Sequence, residues 1–245
     1  MNYSVSPVSA NTNRQVPSII FISGIDTNVG KTCATGWYAS KLMQQGYKVI
    51  TQKLVQTGCK GIPEDIIKHR EIQGIELTPE DNQGLTCPYI FDYPCSPLLA
   101  AKLANKKIEE QVFDQSTQTL SLRYDVVLIE GTGGLYVPYQ EDRTTIDYIA
   151  TRHYPTILVT SSRLGSINHT LLSLYACQQR NIPVLTVIYN LHPEEDLAIS
   201  QDTQFFLQNY LQKHFPSTTF EVMEKLAGYS ANLLLKETPQ KVGIW

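Results

Sequence analysis

The sequence predicts an α/β fold, a doubly wound and mostly parallel sheet with helices on both faces. Three observations carry that expectation. Short apolar runs rich in β-branched residues recur without polar alternation, which is the pattern of strands covered on both sides. Stretches with helical spacing separate these runs, as parallel pairing requires a crossover. The first run also ends in a glycine-containing loop that leads straight into a helical segment.

The elements follow in order. Strand-like runs are Ser18–Ile22, Lys48–Ile50, Asp125–Ile129, Thr156–Val159 and Val184–Ile188. A helix is expected over 31–45, where Ala34, Tyr38 and Leu42 share a face before Gly46 stops it. Further helices are expected over 98–105, 109–122, 166–180 (Leu171, Leu174 and Tyr175 on one stripe) and 196–214, the last ended near Pro216. Residues 57–97 hold Gly58, Gly61, Pro63, Pro79, Pro88, Pro94 and Pro97, and read as a loop-rich insertion over the catalytic edge with a short helix near 65–73. Residues 217–245 give weak signals. Residues 1–16 are polar and rich in Ser and Asn, and are expected to be a flexible extension. That leaves 17–245 as a single domain, a size that buries a core without staples.

Composition narrows the function classes. A net charge of -3 disfavours nucleic-acid binding through a general basic field. No stretch approaches the roughly 18 apolar residues of a membrane span, and the N-terminus lacks a secretory signal. A cytoplasmic protein is expected. The five cysteines, Cys33, Cys59, Cys87, Cys95 and Cys177, show no C-x-x-C spacing. They read as ordinary thiols in a reducing compartment.

Chemistry first appears at Gly24-Ile25-Asp26-Thr27-Asn28-Val29-Gly30-Lys31-Thr32. A glycine loop between strand and helix aims backbone N–H groups at a phosphate, and the helix N-terminus adds partial positive charge. Lys31 is placed to reach the β- and γ-phosphates, and the Thr32 hydroxyl to ligate Mg²⁺. The strict P-loop spacing fails by one residue, because Ile25 stands where the first glycine belongs and Gly24 precedes it. Asp26, Thr27, Asn28, Val29, Gly30, Lys31, Thr32 and Cys33 are the expected nucleotide-binding residues.

A second acidic position follows. The run Asp125–Ile129 ends in Glu130-Gly131-Thr132-Gly133-Gly134. In P-loop NTPase-like proteins the strand beside the loop strand carries an acid that holds Mg²⁺, and Glu130 takes that place. An ordinary strand end with one exposed acid is the bland alternative. Ligands of open α/β sheets bind at the C-terminal strand ends, which favours the functional reading.

The motifs occur in a particular order: Gly-x-Asp-Thr-x-x-Gly-Lys-Thr, Lys53 with Gln56-Thr57-Gly58, Glu64-Asp65-Ile66, Tyr93-Pro94-x-Ser96-Pro97, Glu130-Gly-x-Gly-Gly-Leu-x-Val-Pro138, Leu164-Gly165-Ser166-Ile167-Asn168-His169, and Asn190. In order and spacing, over about residues 18–191, the chain resembles the dethiobiotin synthetase family. The resemblance implies an ATP-dependent cyclo-ligase of biotin biosynthesis that closes a ureido ring on 7,8-diaminononanoate with CO₂, through a carbamate and a carbamic–phosphoric anhydride. It implies Lys53, Lys31 and Thr27 as catalytic residues and a Mg²⁺ shell of Thr32, Asp65 and Glu130. It also implies substrate contacts from Thr57, Ser96, Gly133, Gly165, Ser166, Ile167 and Asn168, with Asn190 reading adenine. In that family the helix opened by Gly165–Asn168 grips the substrate carboxylate from a second subunit, so a homodimer with shared sites is implied. Plainer readings stand beside these. Lys53 could be a surface lysine past a strand, Asp65 a helix N-terminal acid, Ser166 a helix cap and Asn190 a turn residue.

Three positions depart from the family. Asn28 stands where Glu is frequent, Leu98 where His is frequent, and the Gly-x-Ile-Pro segment that commonly lines the adenine pocket is missing after residue 191. Loose discrimination among nucleoside triphosphates is expected if that pocket is open. Two other functions remain open. A cobyrinate a,c-diamide synthase-like amide ligase would normally carry a glutaminase unit, for which the chain is short. A ParA/MinD-like ATPase switch would normally carry a second lysine early in the loop, and Gly24-Ile25-Asp26 has none.

Overall fold

The computed structural model describes residues 16–192 and 196–224. The strands are β1 (Ile19–Gly24), β2 (Val49–Lys53), β3 (Val55–Thr57), β4 (Tyr89–Phe91), β5 (Val126–Gly134), β6 (Pro138–Gln140), β7 (Arg143–Thr144), β8 (Thr156–Ser161), β9 (Val184–Asn190) and β10 (Thr219–Met223). The helices are α1 (Lys31–Gln44), α2 (Glu64–Gln73), α3 (Pro79–Asn82), α4 (Pro97–Leu103), α5 (Glu110–Ser121), α6 (Thr145–Arg152), α7 (Ser166–Gln179) and α8 (Leu197–His214). Six strands form the central sheet in the order β10-β9-β8-β1-β5-β2. Every pairing in it is parallel. The phosphate-loop strand β1 therefore lies between β8 and β5, and the order reverses there, so a crevice opens at the C-terminal strand ends.

Alternation along the strands divides the core in two. Phe21, Ile50, Val127 and Ile129 face one layer, with Phe113, Leu120, Ile146 and Ile149. Ile20, Ile22, Val49, Val126 and Leu128 face the other, with Ala34, Ala39 and Leu42 of α1. Each Val, Leu, Ile or Phe side chain buried in this way stabilises by about 1.5–3 kcal/mol, and the alanines by less. The five expected strands and the helices expected over 31–45, 98–105, 109–122, 166–180 and 196–214 are all present, within a few residues at each end.

The stretch 57–97 is more ordered than its prolines suggest. β3 and β4 pair in parallel, and α2, α3 and the start of α4 complete the segment. Arg70 fastens it to the sheet. Its fully buried guanidinium donates to both Asp81 carboxylate oxygens at 2.9 and 2.8 Å, to Thr51 Oγ1 at 2.8 Å and to Gln73 Oε1 at 2.7 Å. Four other elements lacked a sequence expectation: β6 and β7, which pair antiparallel, and β10 and α6. β10 makes the sheet edge within the weakly patterned 217–245, and α6 is stabilised by a capping box between Thr144 and Asp147. Of the expected extension over 1–16, residues 1–15 lie outside the described residues, as do 225–245. Val16 packs against the α1-side core.

Candidate active site

The site is built where β1, β2 and β5 end side by side. Register pairs Lys53 of β2 with Glu130 of β5, and Glu130 with Ile22 of β1. Lys53 Nζ lies 2.8 Å from Glu130 Oε1 and 2.8 Å from Asp65 Oδ2, and donates to Gly131 O at 3.2 Å. Thr32 Oγ1, in the first turn of α1, donates to Asp65 Oδ1 at 3.0 Å and to Glu130 Oε1 at 3.1 Å. Thr32, Asp65, Glu130 and Lys53 are thus brought into one cluster from four elements. Lys53 is a buried cation, so the surface-lysine reading is set aside.

The charges are mutually dependent. Burial disfavours the Lys53 ammonium, but Asp65 and Glu130 outweigh it and hold its pKa above the ordinary lysine range. Burial likewise disfavours the Glu130 carboxylate, but the Lys53 charge and the hydrogen bond from His69 hold it ionised, far below the ordinary glutamate range. Lys31 is shifted the other way. Burial and the nearby Lys53 charge lower it to about 8, against the opposing pull of Glu130 and Asp65. Its Nζ donates to Asp26 O at 2.8 Å, closing the phosphate loop on itself.

The loop's shape explains its glycines. A side chain at Gly24 would place Cβ 2.6 Å from Val29 Cγ2, so this glycine allows the close approach although it precedes the usual position. Gly30 is left-handed at φ 91°, and a Cβ there would meet Asn190 Nδ2 at 2.3 Å. Asn190, at the end of β9, donates through Nδ2 to Val29 O at 3.0 Å and to His192 O at 2.8 Å, while its Oδ1 accepts from His192 N at 3.0 Å. It therefore fastens the loop to the neighbouring strand end. Asn28 is also left-handed, at φ 60°, and exposed with Thr27 on the loop crest. Cys33 is half-buried and its thiol is pushed up by burial, which makes it a packing thiol in the first turn of α1. All five cysteines are free.

Other expected residues surround the cluster. Gly133 (φ 68°) faces Thr27, whose Oγ1 would lie 3.7 Å from a Cβ at this position. Thr57 ends β3 half-buried, and Ser96 precedes α4, exposed and without a side-chain cap. No hydrogen bond joins either to the lysine cluster among the described residues. The cap of α7 is Gly165 (φ 92°), not Ser166, because Ser166 is already the first helical residue. Its buried Oγ has no hydrogen-bond partner among the described residues. Ile167 is half-buried and Asn168 exposed on the same first turn. Between the loop and α7 opens a cleft of ≈ 290 Å³, lined by Ile25, Asp26, Thr27, Gly134, Leu135, Tyr136, Val137, Leu172 and Ser173.

Two site residues had no sequence expectation. Arg163 pairs with Asp26 across the cleft mouth at 3.0 Å, and Asp26 is held below the usual carboxylate range by the Thr27 N–H and by Arg163. His69, fully buried, meets the second oxygen of Glu130 at 2.7 Å. His69 follows Asp65 by four residues on α2, a spacing that puts both on one face, and this was the available signal.

A phosphate loop entering a helix, with an acid on the adjacent strand of a parallel sheet, defines a P-loop nucleotide-binding protein. A family model described as an AAA domain matches residues 18–231. The chain is 61% identical over 209 residues to ATP-dependent dethiobiotin synthetase BioD 2 of Pasteurella multocida, covering 85% of this chain and 98% of that protein. It is 45% identical over 196 residues to ATP-dependent dethiobiotin synthetase BioD of Chlorobaculum tepidum, covering 80% and 82%. The chain belongs to the ATP-dependent dethiobiotin synthetase family, and is an ATP-dependent enzyme. Among solved structures, a plasmid partition protein from Borrelia burgdorferi (TM-score 0.51, 15% identity, covering 88% of this chain and 93% of that one) shares the fold. So does a ParA family ATPase from Chlorobium tepidum (TM-score 0.50, 13% identity, covering 85% and 84%). Among the described residues, no helix is long and apolar enough to cross a membrane.

Proposed function

We propose that this chain converts 7,8-diaminononanoate, CO₂ and ATP to dethiobiotin, ADP and phosphate. One amine adds to CO₂, losing a proton and giving a carbamate. A carbamate oxygen attacks the γ-phosphorus and ADP leaves. The second amine attacks the carbamic carbon of the mixed anhydride, and phosphate departs as the ring closes. The observation that carries this reading is the Lys53 ammonium, held protonated at the strand ends beside the phosphate loop. Phosphoryl transfer is mostly positioning and charge neutralisation, and a fixed buried cation supplies both for a carbamate.

The residues fit Mg²⁺. A hydroxyl and two carboxylates converge, all hard oxygen donors, and the ammonium that already bridges the carboxylates marks the place as one for a cation. Thr32, Asp65 and Glu130 would hold the ion, which when bound neutralises charge on the β- and γ-phosphates. Lys31 meets the same phosphates from the loop. Asn190 Oδ1 keeps one lone pair, the acceptor an adenine amino group needs. The cleft fits the diamine. Ile25, Leu135, Val137 and Leu172 match its methylene chain, and Thr27 stands at the reacting end. In the Gly165–Asn168 turn the Ser166 N–H is taken by Arg163 O at 3.1 Å, which leaves the N–H groups of Gly165, Ile167 and Asn168 for the carboxylate of a diamine held by a second subunit. Exposed Tyr136 and Leu172 line this cleft and exposed Leu164 lies just before α7, which supports a homodimer closing over it; the cytoplasm is the location that goes with this reading.

The test is ADP release by the purified protein with MgATP and bicarbonate. Diamine-dependent ADP release with dethiobiotin appearing in equal amount is expected. ATP turnover indifferent to the diamine overturns the reading.

A further inference from the structure

We infer that His69 is a positioning residue for Glu130. It holds one carboxylate oxygen so that the other alone is presented to the cation site. The proposal rests on reading Glu130 as a magnesium ligand, and adds a residue that does not touch the ion or the substrate.

The geometry divides the two oxygens of Glu130 cleanly. Oε1 faces Lys53 at 2.8 Å and Thr32 at 3.1 Å. Oε2 faces His69 Nε2 at 2.7 Å. Both side chains are buried, at 0% and 1% exposure, so no solvent competes for Oε2. Glu130 Oε2 is an acceptor, so Nε2 must carry the hydrogen. His69 Nδ1 has no hydrogen-bond partner among the described residues. The imidazole therefore spends its one buried hydrogen bond on the carboxylate.

A carboxylate bound through a single oxygen rotates about its Cγ–Cδ bond unless the other oxygen is held. Pairing with β1 and β2 on either side of β5 fixes Glu130 Cα, and His69 fixes the plane of its carboxylate. Asp65 and His69, four residues apart on α2, place a cation-site ligand and the support of another ligand on one helix face. α2 is in turn anchored by the buried Arg70–Asp81 pair, next in sequence to His69. A carboxylate that is pre-oriented in this way loses less freedom when a cation arrives, and support of this kind is worth about 10- to 100-fold in metal affinity.

The test uses two variants matched in polarity and differing in reach, His69→Gln and His69→Asn, with Glu130→Gln as reference. Mn²⁺ replaces Mg²⁺, and its binding to the full chain with ADP is followed by electron paramagnetic resonance. Turnover is measured as a function of Mg²⁺ concentration. The Gln side-chain nitrogen reaches the place of Nε2, so H69Q is expected to bind Mn²⁺ within about threefold of wild type. The shorter Asn does not reach, so H69N is expected to bind at least about tenfold more weakly, with kcat at saturating Mg²⁺ much less affected. Equal Mn²⁺ affinity in H69Q, H69N and wild type, with E130Q weakened, overturns the role of His69 alone. Wild-type affinity in E130Q overturns the reading of Glu130 beneath it. If H69N fails to fold while H69Q folds and binds tenfold more weakly, the donor is not what matters and the proposal also falls.

Discussion

Lys53 and Glu130 are register partners on adjacent parallel strands, and their side chains meet at 2.8 Å where β2 ends and partway along β5. Neither is stable there alone. Each is buried; Lys53 is kept charged by Asp65 and Glu130 together, and Glu130 chiefly by Lys53 with the help of His69. The sheet thus delivers a charged pair to the crevice edge as a consequence of strand order.

Replacing Lys53 therefore has two effects. K53M should lower kcat by at least about 100-fold, as expected for loss of a preorganised charge at the reacting group. It should also destabilise the fold by about 3 kcal/mol, because two carboxylates are left facing each other in a buried site. Turnover assays and urea denaturation measure the two separately. A loss of turnover without a loss of stability would show that the pair is not energetically coupled.

The Arg70–Asp81 pair predicts an acid dependence. Burial opposes the Asp81 charge, but Arg70 outweighs it, together with Thr78 and Thr86, so its pKa is lower folded than unfolded. A carboxylate shifted in this direction stabilises fully above its ordinary range, and the contribution is lost as pH falls below about 3.9 towards the folded value. D81N should be less stable than wild type by about 3 kcal/mol at pH 7, and the gap should narrow below pH ~4. Chemical denaturation across pH checks this.

Gly30 and Asn190 form a third testable contact. G30A combines a left-handed φ with a Cβ 2.3 Å from Asn190 Nδ2. ATP affinity should fall at least tenfold, about 1.4 kcal/mol. N190A alone should also weaken ATP binding, because it removes the tie to Val29 O, and since the clash needs both side chains the G30A/N190A double variant should lose less equilibrium ATP affinity than the two single losses combined.

The cleft offers a fourth. L172D puts a charge in the apolar wall between α7 and the loop, and should raise the diamine KM by roughly tenfold while leaving the ATP KM near wild type. Steady-state kinetics with each substrate varied separates the two constants.

Much of this site was legible in the sequence because strand ends and helix starts are local signals. Gly30-Lys31-Thr32 announced the loop, and Glu130 followed a run too apolar to be anything but a buried strand. Lys53 was harder. Its value depends on β2 pairing with β5, which no local pattern states. His69 and Arg163 were missed because each acts through a contact distant in sequence, to Glu130 and Asp26. β10 was missed because a five-residue edge strand, Thr219–Met223, carries only a short mixed pattern. The helix α6 had a readable capping box at Thr144 and Asp147, but its Thr- and Ile-rich start resembles a strand.

The most direct measurement is a crystal structure with the diamine, bicarbonate, Mg²⁺ and a non-hydrolysable ATP analogue. The account predicts the ion ligated by Thr32, Asp65 and Glu130, with the Lys53 ammonium drawn off the carboxylates onto the carbamate. An ion bound elsewhere, or Lys53 still on Glu130 with the carbamate out of reach, would contradict it.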